Sequence, residues 1–127
     1  MLPALERSWA VLLRTRKRDG SWVGTPVNLA VANGRGYFAT PADSAKVLRL
    51  RNFEEVELAP STLRGRPTGP EAAGRTRRLS GEEAEAAAVA LRRRHPFVHR
   101  VLVPLELALK RTHNAYYEVE LTRSPST

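Results

Sequence analysis

Two tight-turn dipeptides constrain the fold of this chain more than any other feature of the sequence. Asp19-Gly20 and Asn33-Gly34 each stand between segments of β-like composition. Asp-Gly and Asn-Gly favour the two-residue turns that join antiparallel strands. The first dipeptide joins strands predicted at 9–17 and 21–32, and the second leads into a strand at 37–40.

Proline 26 lies inside the second predicted strand. Because proline cannot donate a backbone hydrogen bond to a sheet ladder, Pro26 predicts an edge strand, a bulge or a ligand-facing position. The segment Glu54–Ala59 alternates in polarity like a half-buried strand, and Tyr116–Leu121 does the same. Arg75–Leu79 is a further predicted strand. The intervening residues 60–74, rich in proline and glycine, are predicted to form a loop.

A helical insertion is predicted at about 81–111. Ser80 and Glu83 have the spacing of a capping box, and the Ala-rich segment Ala84–Arg94 then favours a helix that Pro96 ends. Apolar residues recur at helical spacing over 97–109 despite Pro104. A stripe of this kind can face a membrane or a partner, but packing on the sheet is the favoured interpretation.

The predicted order of elements contains no βαβ repeat, so the sequence indicates a mainly β fold, an antiparallel β-barrel with peripheral helices. A chain of 127 residues is expected to form one domain, residues 1–127, with a disordered tail at 122–127. No transmembrane segment and no signal peptide are evident, which makes the cytoplasm the expected location. The absence of cysteine excludes disulfides and thiol catalysis.

The stretch Thr40–Asn52 is the strongest candidate for a binding site. It follows a predicted strand and begins a short helix, where free backbone N–H groups favour anions, and Lys46 adds a positive charge in the first turn. The alternative is an ordinary surface helix capped by Asp43 or Ser44. The net charge of +8 favours anionic partners without choosing among them.

Other chemistries have less support in the sequence. His95, His99 and His113 lack a carboxylate at ligand spacing, so no metal is expected and surface or structural roles are favoured. No nucleophile elbow or catalytic carboxylate pair is present, so an enzyme of this sequence would depend on a cofactor. The arginine clusters at 14–18, 75–78 and 92–94 allow a nucleic-acid surface as a second-tier hypothesis.

Several motifs, in their order and spacing, resemble the pyridoxamine-phosphate-oxidase-like (PPOX-like) split β-barrel superfamily over residues 8–121. The closest similarity is to the deazaflavin-dependent branch, whose members use coenzyme F420. The matching segments are Thr15–Ser21, Thr25–Val27, Thr40, Ser44–Asn52, Val56–Pro60 and Arg64–Gly69. Asn28 departs from the bulky residue of many relatives, and Asn52-Phe53-Glu54 departs from their usual Asn-Pro.

The resemblance implies a homodimer that binds a flavin-like cofactor in a groove at the subunit interface. The implied function is hydride transfer between reduced F420 and an electron-poor small-molecule acceptor such as an enone, imine or quinone. FMN is the alternative cofactor, and a non-catalytic F420 carrier or a protein binding nucleic acid or an anionic surface are the alternative functions. The implied cofactor-binding residues are Thr25, Pro26 and Val27 beside the ring, with Arg16, Lys17, Thr40, Ser44, Ala45, Lys46 and Arg49 near the anionic groups. No catalytic residue is identified: Tyr37, Tyr116 and Tyr117 could donate a proton, but barrel packing is favoured for each.

Overall fold

The computed structural model describes residues 3–123, and seven antiparallel strands form its one sheet. The strands follow the order β2-β1-β5-β6-β7-β4-β3. They are β1 (Ala10–Arg16), β2 (Trp22–Val27), β3 (Ala30–Ala32), β4 (Arg35–Pro41), β5 (Glu55–Ser61), β6 (Ala72–Leu79) and β7 (Asn114–Arg123). The helices are α1 (Pro3–Arg7), α2 (Ala45–Asn52), α3 (Gly81–Arg94) and α4 (Val103–Lys110), with a π-helical turn at Val98–Leu102. The predicted mainly β fold with peripheral helices is confirmed.

Both predicted hairpins form where the turn dipeptides stand. Gly20 adopts a φ of +88°, and Asp19 Oδ1 accepts a 2.9 Å hydrogen bond from the Ser21 backbone. Asn33 and Gly34 have φ values of 55° and 77°, as a type I′ turn requires. The first hairpin makes β2 an edge strand of the sheet. The edge position predicted for Pro26 is therefore confirmed.

The core lies on the inner face of the curved sheet. Alternate residues of β1, Val11, Leu13 and Thr15, are fully buried there. Phe38 of β4 stacks on Tyr117 of β7 with ring centroids 5.3 Å apart. This contact confirms the packing role of Tyr117. The short helix α2 adds Val47 and Leu50 to the same core, so the helix is fixed to the sheet by its apolar face.

Several predicted boundaries differ from the structure. The strand predicted at 21–32 is two strands, because the chain turns inward at Asn28 and Leu29 between β2 and β3. Asn28 Nδ2 donates to the Trp9 carbonyl at 3.1 Å, and Leu29 is buried. The loop predicted at 60–74 is shorter, since residues 60 and 61 extend β5 and residues 72–74 begin β6. Burial explains both extensions: positions 58–61 of β5 are all buried, and Ala72 and Gly74 of β6 are buried at alternate positions. The turn-forming composition of these segments does not reveal this burial.

The start of the predicted disordered tail also differs from the structure. Residues 122 and 123 belong to β7, so the disorder predicted from 122 is wrong for these two residues. Residues 124–127 lie outside the described part of the chain.

The prediction of a capping box at Ser80 is wrong, because its side-chain hydrogen bonds do not form. Ser80 is the N-cap of α3, but its hydroxyl makes no capping hydrogen bond. Glu83 instead receives two hydrogen bonds from Arg77 on β6, at 3.1 and 2.7 Å. A charged partner on the neighbouring strand therefore replaces the local cap.

Residues 96–110, which we call the arm, form a helix after α3 that includes the π-helical turn and α4. The helix tolerates Pro104 because this residue lies at the start of α4, directly after the π-helical turn. The prediction that the apolar stripe of the arm packs on the sheet is wrong. No residue of the π-helical turn or of α4 is buried, and the largest apolar side chains of the arm face outward.

Candidate functional site

The start of α2 places two hydroxyl groups against each other. Ser44 is the N-cap residue, with extended φ and ψ of −78° and 157°, but its side chain makes no capping hydrogen bond. The Ser44 hydroxyl instead lies 3.0 Å from the hydroxyl of Thr40, which is buried at the end of β4. The predicted capping by the Ser44 side chain is therefore wrong. The backbone N–H groups of the first turn receive no side-chain acceptor from this residue.

Two cations follow on one side of α2. Lys46 and Arg49 are three residues apart and so share a helix face, and both are partly buried. Neither has a carboxylate within 4.0 Å in the described part of the chain. Burial, and then the charge of Arg49, lower the pKa of Lys46. An unpaired, partly desolvated cation pair of this kind is electrostatically suited to an anionic ligand.

Arg49 is held in place by the sheet. Its Nε donates a 2.6 Å hydrogen bond to Thr15 Oγ1, and Thr15 is 1% exposed on β1. The remaining nitrogens of the guanidinium make no hydrogen bond to the described residues. Sequence reasoning missed Thr15. The pattern that could have identified Thr15 is its position in β1, because it continues the alternation of Val11 and Leu13 and so faces inward.

Arg16 ends β1 beside an aromatic pair that sequence reasoning also missed. Its guanidinium carbon lies 4.5 Å from the centroid of the Trp22 ring and 5.6 Å from that of Phe53, which is cation–π distance. Its Nε is buried without a hydrogen-bond partner in the described chain. Phe53 is the C-cap residue of α2, so Arg16 lies beside the C-terminal end of the helix that carries the cation pair.

The segment Thr25–Val27 does not present its three side chains to one face. Thr25 and Val27 oppose Leu13 and Val11 in the β1–β2 register, so they share the inner face with Thr15. Pro26 opposes Leu12 and packs toward the other face, where a Cβ added at Gly65 would lie 3.5 Å from its ring. The Oγ1 atom of Thr25 is buried and lacks a hydrogen-bond partner in the described chain.

The predicted site residues therefore divide into groups. The structure brings Thr40, Ser44, Lys46 and Arg49 together around α2, and it places Thr25 and Val27 on the same inner face as Thr15. Ala45 is the exposed first residue of α2, and Lys17 lies exposed in the first hairpin turn. Pro26 projects to the opposite face of the sheet from Thr25.

Buried polar atoms without partners are rare in folded proteins and call for an explanation. Arg16 Nε and Thr25 Oγ1 are two such atoms in the β1–β2 hairpin. Arg16 pairs with Trp22 beside the turn, whereas Thr25 pairs with Leu13 three residues earlier in β1. Together with Lys46 and Arg49 of α2, this part of the molecule carries three positive groups and the Thr25 hydroxyl. This donor set fits a phosphate-bearing molecule with a polar ring system.

The histidines take no part in this arrangement. His95 is buried, its Nε2 lies 3.2 Å from the Leu29 carbonyl, and its ring packs edge-on against Trp9. The structural role predicted for His95 is therefore confirmed. Residues 3–123 contain no group of three or more acidic or histidine side chains able to hold a metal ion, and no helix among them could span a membrane.

The arginine clusters predicted from the sequence are partly neutralised in the fold. Each cluster contains an arginine that lies within 4.0 Å of a glutamate. These pairs are Arg14 with Glu71, Arg75 with Glu55, Arg77 with Glu83 and Glu118, and Arg92 with Glu85.

Solved structures with the same fold are numerous, although the sequence matches no family model and no curated protein. The haem storage protein HutZ from Vibrio cholerae has a TM-score of 0.73 at 6% identity, with 95% of this chain and 87% of that one covered. A protein proposed to confer 5-nitroimidazole antibiotic resistance in Bacteroides thetaiotaomicron has a TM-score of 0.69 at 12% identity, with coverage of 94% and 76%. A proposed pyridoxamine 5′-phosphate oxidase from Listeria innocua has a TM-score of 0.61 at 10% identity, with coverage of 94% and 89%.

These likenesses show the split β-barrel fold of the PPOX-like proteins. The fold expectation drawn from the sequence motifs is therefore confirmed. At such low identities the likeness extends to the fold alone, and function has to be argued from the side chains of this chain.

Proposed function

We propose that this protein is an F420-dependent oxidoreductase that transfers hydride between the reduced deazaflavin and an electron-poor small molecule. The observation that carries the proposal is the cation pair of α2 in a split β-barrel, with Lys46 in the first turn of the helix and Arg49 in the last, neither paired with a carboxylate in the described chain. F420 carries a phosphodiester and an oligoglutamate tail, so it supplies the negative charges that this pair lacks.

In this proposal the α2 residues bind the anionic part of the cofactor. Lys46 and Arg49 would contact phosphate oxygens, and the first-turn N–H groups of α2 would add to the positive potential. The Thr40 and Ser44 hydroxyls share a hydrogen bond, so one of them would be free to donate to the same group. Arg16 and Thr25 supply the two buried donors that lack partners in the described chain. Thr25 and Val27 line the inner face beside the ring. The sequence resemblance implies that this groove lies at the interface of a homodimer.

When bound, the deazaflavin supplies the hydride chemistry. The protein's own part is to fix the orientation of the ring, to hold the acceptor against it and to exclude water from the groove. No side chain needs to act as a nucleophile, which agrees with the absence of a nucleophile elbow or a carboxylate pair in the sequence.

A titration of the purified protein tests the choice of ligand. Oxidised F420, FMN and haem are titrated separately while cofactor fluorescence or haem absorbance is recorded; haem is included because a protein of the same fold stores it. We expect saturable binding of F420 that is tighter than that of FMN or haem. Tight FMN or haem binding without an F420 response would contradict the proposal.

A second measurement separates an enzyme from a carrier. Reduced F420 is mixed with the protein and a panel of enones, imines and quinones, and its oxidation is followed optically. Turnover of at least one acceptor is expected. Binding without oxidation by any acceptor would favour a non-catalytic F420 carrier.

A further inference from the structure

The arm carries a continuous apolar face that the described chain leaves uncovered. Phe97, Val101, Leu105 and Leu109 recur every four residues, and Leu102 lies three residues before Leu105, so these side chains share one broad side of the helix. Their exposed fractions are Phe97 65%, Val101 50%, Leu102 46%, Leu105 56% and Leu109 78%. An exposed cluster of this size is unusual on a monomeric protein and marks an interaction surface.

Positive charges flank the apolar face of the arm. Arg100 lies within the arm, Lys110 ends it and Arg111 follows. The C-terminal turn of α3 contributes Arg93 and Arg94, together with Arg92, which pairs with Glu85 at 3.3 Å. The arm has one acidic residue, Glu106, and Lys110 Nζ binds it at 2.8 Å. Arg100 has no carboxylate within 4.0 Å in the described chain. The arm is therefore an apolar surface with a cationic rim.

The base of the arm is fixed to the sheet. His95 is buried against the Leu29 carbonyl, and the ring of Trp9, itself 47% exposed, packs against it. The backbone N–H of His99 donates to the His95 carbonyl at 3.0 Å, which joins the first turn of the arm to this anchor. The apolar face is thus already presented in the folded chain and does not require a separate folding step.

We propose that the arm docks on the surface of an anionic lipid bilayer. An amphipathic helix binds the membrane interface by combining buried apolar area with attraction of basic side chains to anionic headgroups. The exposed face of the arm supplies the apolar area, and its cationic rim supplies the attraction to anionic headgroups. Trp9, at the base, is the residue type that favours the headgroup region.

The charges around the arm also argue against a second copy of this chain as the partner that covers its apolar face. A symmetric contact through the arm would bring two identical cationic rims together, since a two-fold interface uses the same surface patch on both subunits. The arm offers only Glu106 to offset them, and Lys110 already pairs with it. An anionic bilayer relieves this repulsion, whereas self-association increases it.

Vesicle co-sedimentation tests the proposal. The full chain is mixed with vesicles of phosphatidylglycerol and phosphatidylcholine in equal parts, and with vesicles of phosphatidylcholine alone. We expect sedimentation with the anionic vesicles, little with the neutral ones, and release as salt rises from roughly 0.1 to 0.5 M. No sedimentation with the anionic vesicles would overturn the proposal.

A pair of matched variants localises the contact. Leu105→Glu places a charge in the apolar face, and Leu48→Glu makes the same change on α2 at almost equal exposure, 56% against 58%. Because both side chains are exposed, both variants should keep the wild-type circular dichroism spectrum and melting temperature. We expect Leu105→Glu to weaken vesicle binding by about tenfold or more and Leu48→Glu to leave it unchanged. If the two variants changed vesicle binding equally, the membrane contact would lie outside the apolar face of the arm and the proposal would be wrong.

Sedimentation velocity without lipid tests directly whether the arm binds a second copy of the chain. If Leu105→Glu lowers the number of subunits, the arm is an interface between copies and the proposal is wrong. An unchanged subunit number together with lost vesicle binding supports it. F420 binding by Leu105→Glu is measured in parallel, so that a failure of membrane docking is distinguished from a failure of the proposed cofactor function.

Discussion

The Thr15 hydroxyl accepts a 2.6 Å hydrogen bond from Arg49 Nε on the inner face of the sheet. This bond connects the strand that begins the barrel to the helix that carries the proposed anion site. It orients the guanidinium and leaves its terminal nitrogens for a ligand. The bond therefore makes Thr15 a positioning residue for Arg49.

The variant Thr15→Val keeps the shape of this side chain and removes its acceptor. We expect the free energy of unfolding to fall by about 1–2 kcal/mol, because Arg49 Nε loses its hydrogen-bond partner. We also expect F420 affinity to fall several-fold, since Arg49 is no longer oriented. Chemical denaturation and cofactor titration measure the two effects. Thr122→Val, an exposed change on β7, is the control, and a stability loss with unchanged F420 affinity would remove Arg49 from the site.

At the scale of the elements, the anchor of the arm and the first turn of the arm each contain a histidine whose neutral form is favoured. The rings of His95 and His99 lie 6.1 Å apart. Burial, and then the neighbouring His95, lower the pKa of His99 from 6.5 to about 4. Burial is also the main cause that lowers the pKa of His95. Protonation in the folded state is thus disfavoured for both groups.

This arrangement predicts an acid-sensitive stability. Between pH 6.5 and about 4 the unfolded chain binds the His99 proton and the folded chain does not. The free energy of unfolding therefore decreases as the pH falls through this window, by at most about 3 kcal/mol from His99 and by less where solvent reaches the ring. Urea unfolding at a series of pH values measures the slope.

The histidine variants give the control for this slope. His99→Gln should flatten the pH dependence, and His113→Gln, which changes an exposed histidine after α4, should retain it. An equal slope in His99→Gln and the wild type would mean that His99 is not responsible.

The same elements show how far the sequence predicts this fold. Asp19-Gly20 and Asn33-Gly34 located both hairpins because their turn chemistry is local. The strand extensions at 60–61 and 72–74 could not be found in this way, since tertiary burial overrides the loop-forming composition there. Glu83 was assigned to a local cap because the sequence does not reveal that Arg77 lies on the adjacent strand.

The candidate site was predictable in its helix and less so in its sheet. Lys46 follows from the strand-to-helix motif, whereas Arg49 was implied only by the family resemblance. Thr15 and the pairing of Arg16 with Trp22 and Phe53 depend on strand register, which no local pattern specifies. The sequence predicted that the arm packs on the sheet, because an apolar stripe indicates burial but does not identify the surface that covers it.

For the whole molecule, the proposed groove is expected to be completed by a second copy of the chain. Sedimentation equilibrium or light scattering should therefore give the mass of two chains at micromolar concentration. Dimer formation should persist in Leu105→Glu, since the arm is assigned to lipid contact and not to the subunit interface. A monomer that binds F420 with full affinity would show that one chain suffices for the site.

The most direct test of the central claim compares F420 with the tailless deazaflavin, which has the same ring but no phosphodiester or glutamate tail. The wild type should prefer F420 by about tenfold or more, because Lys46 and Arg49 bind the anionic part. Lys46→Ala should remove most of that preference without lowering the melting temperature, since this cation has no carboxylate partner to lose. Lys110→Ala, which breaks only an exposed pair in the arm, serves as the control. A preference for F420 that is equally strong in Lys46→Ala and in the wild type would contradict the account.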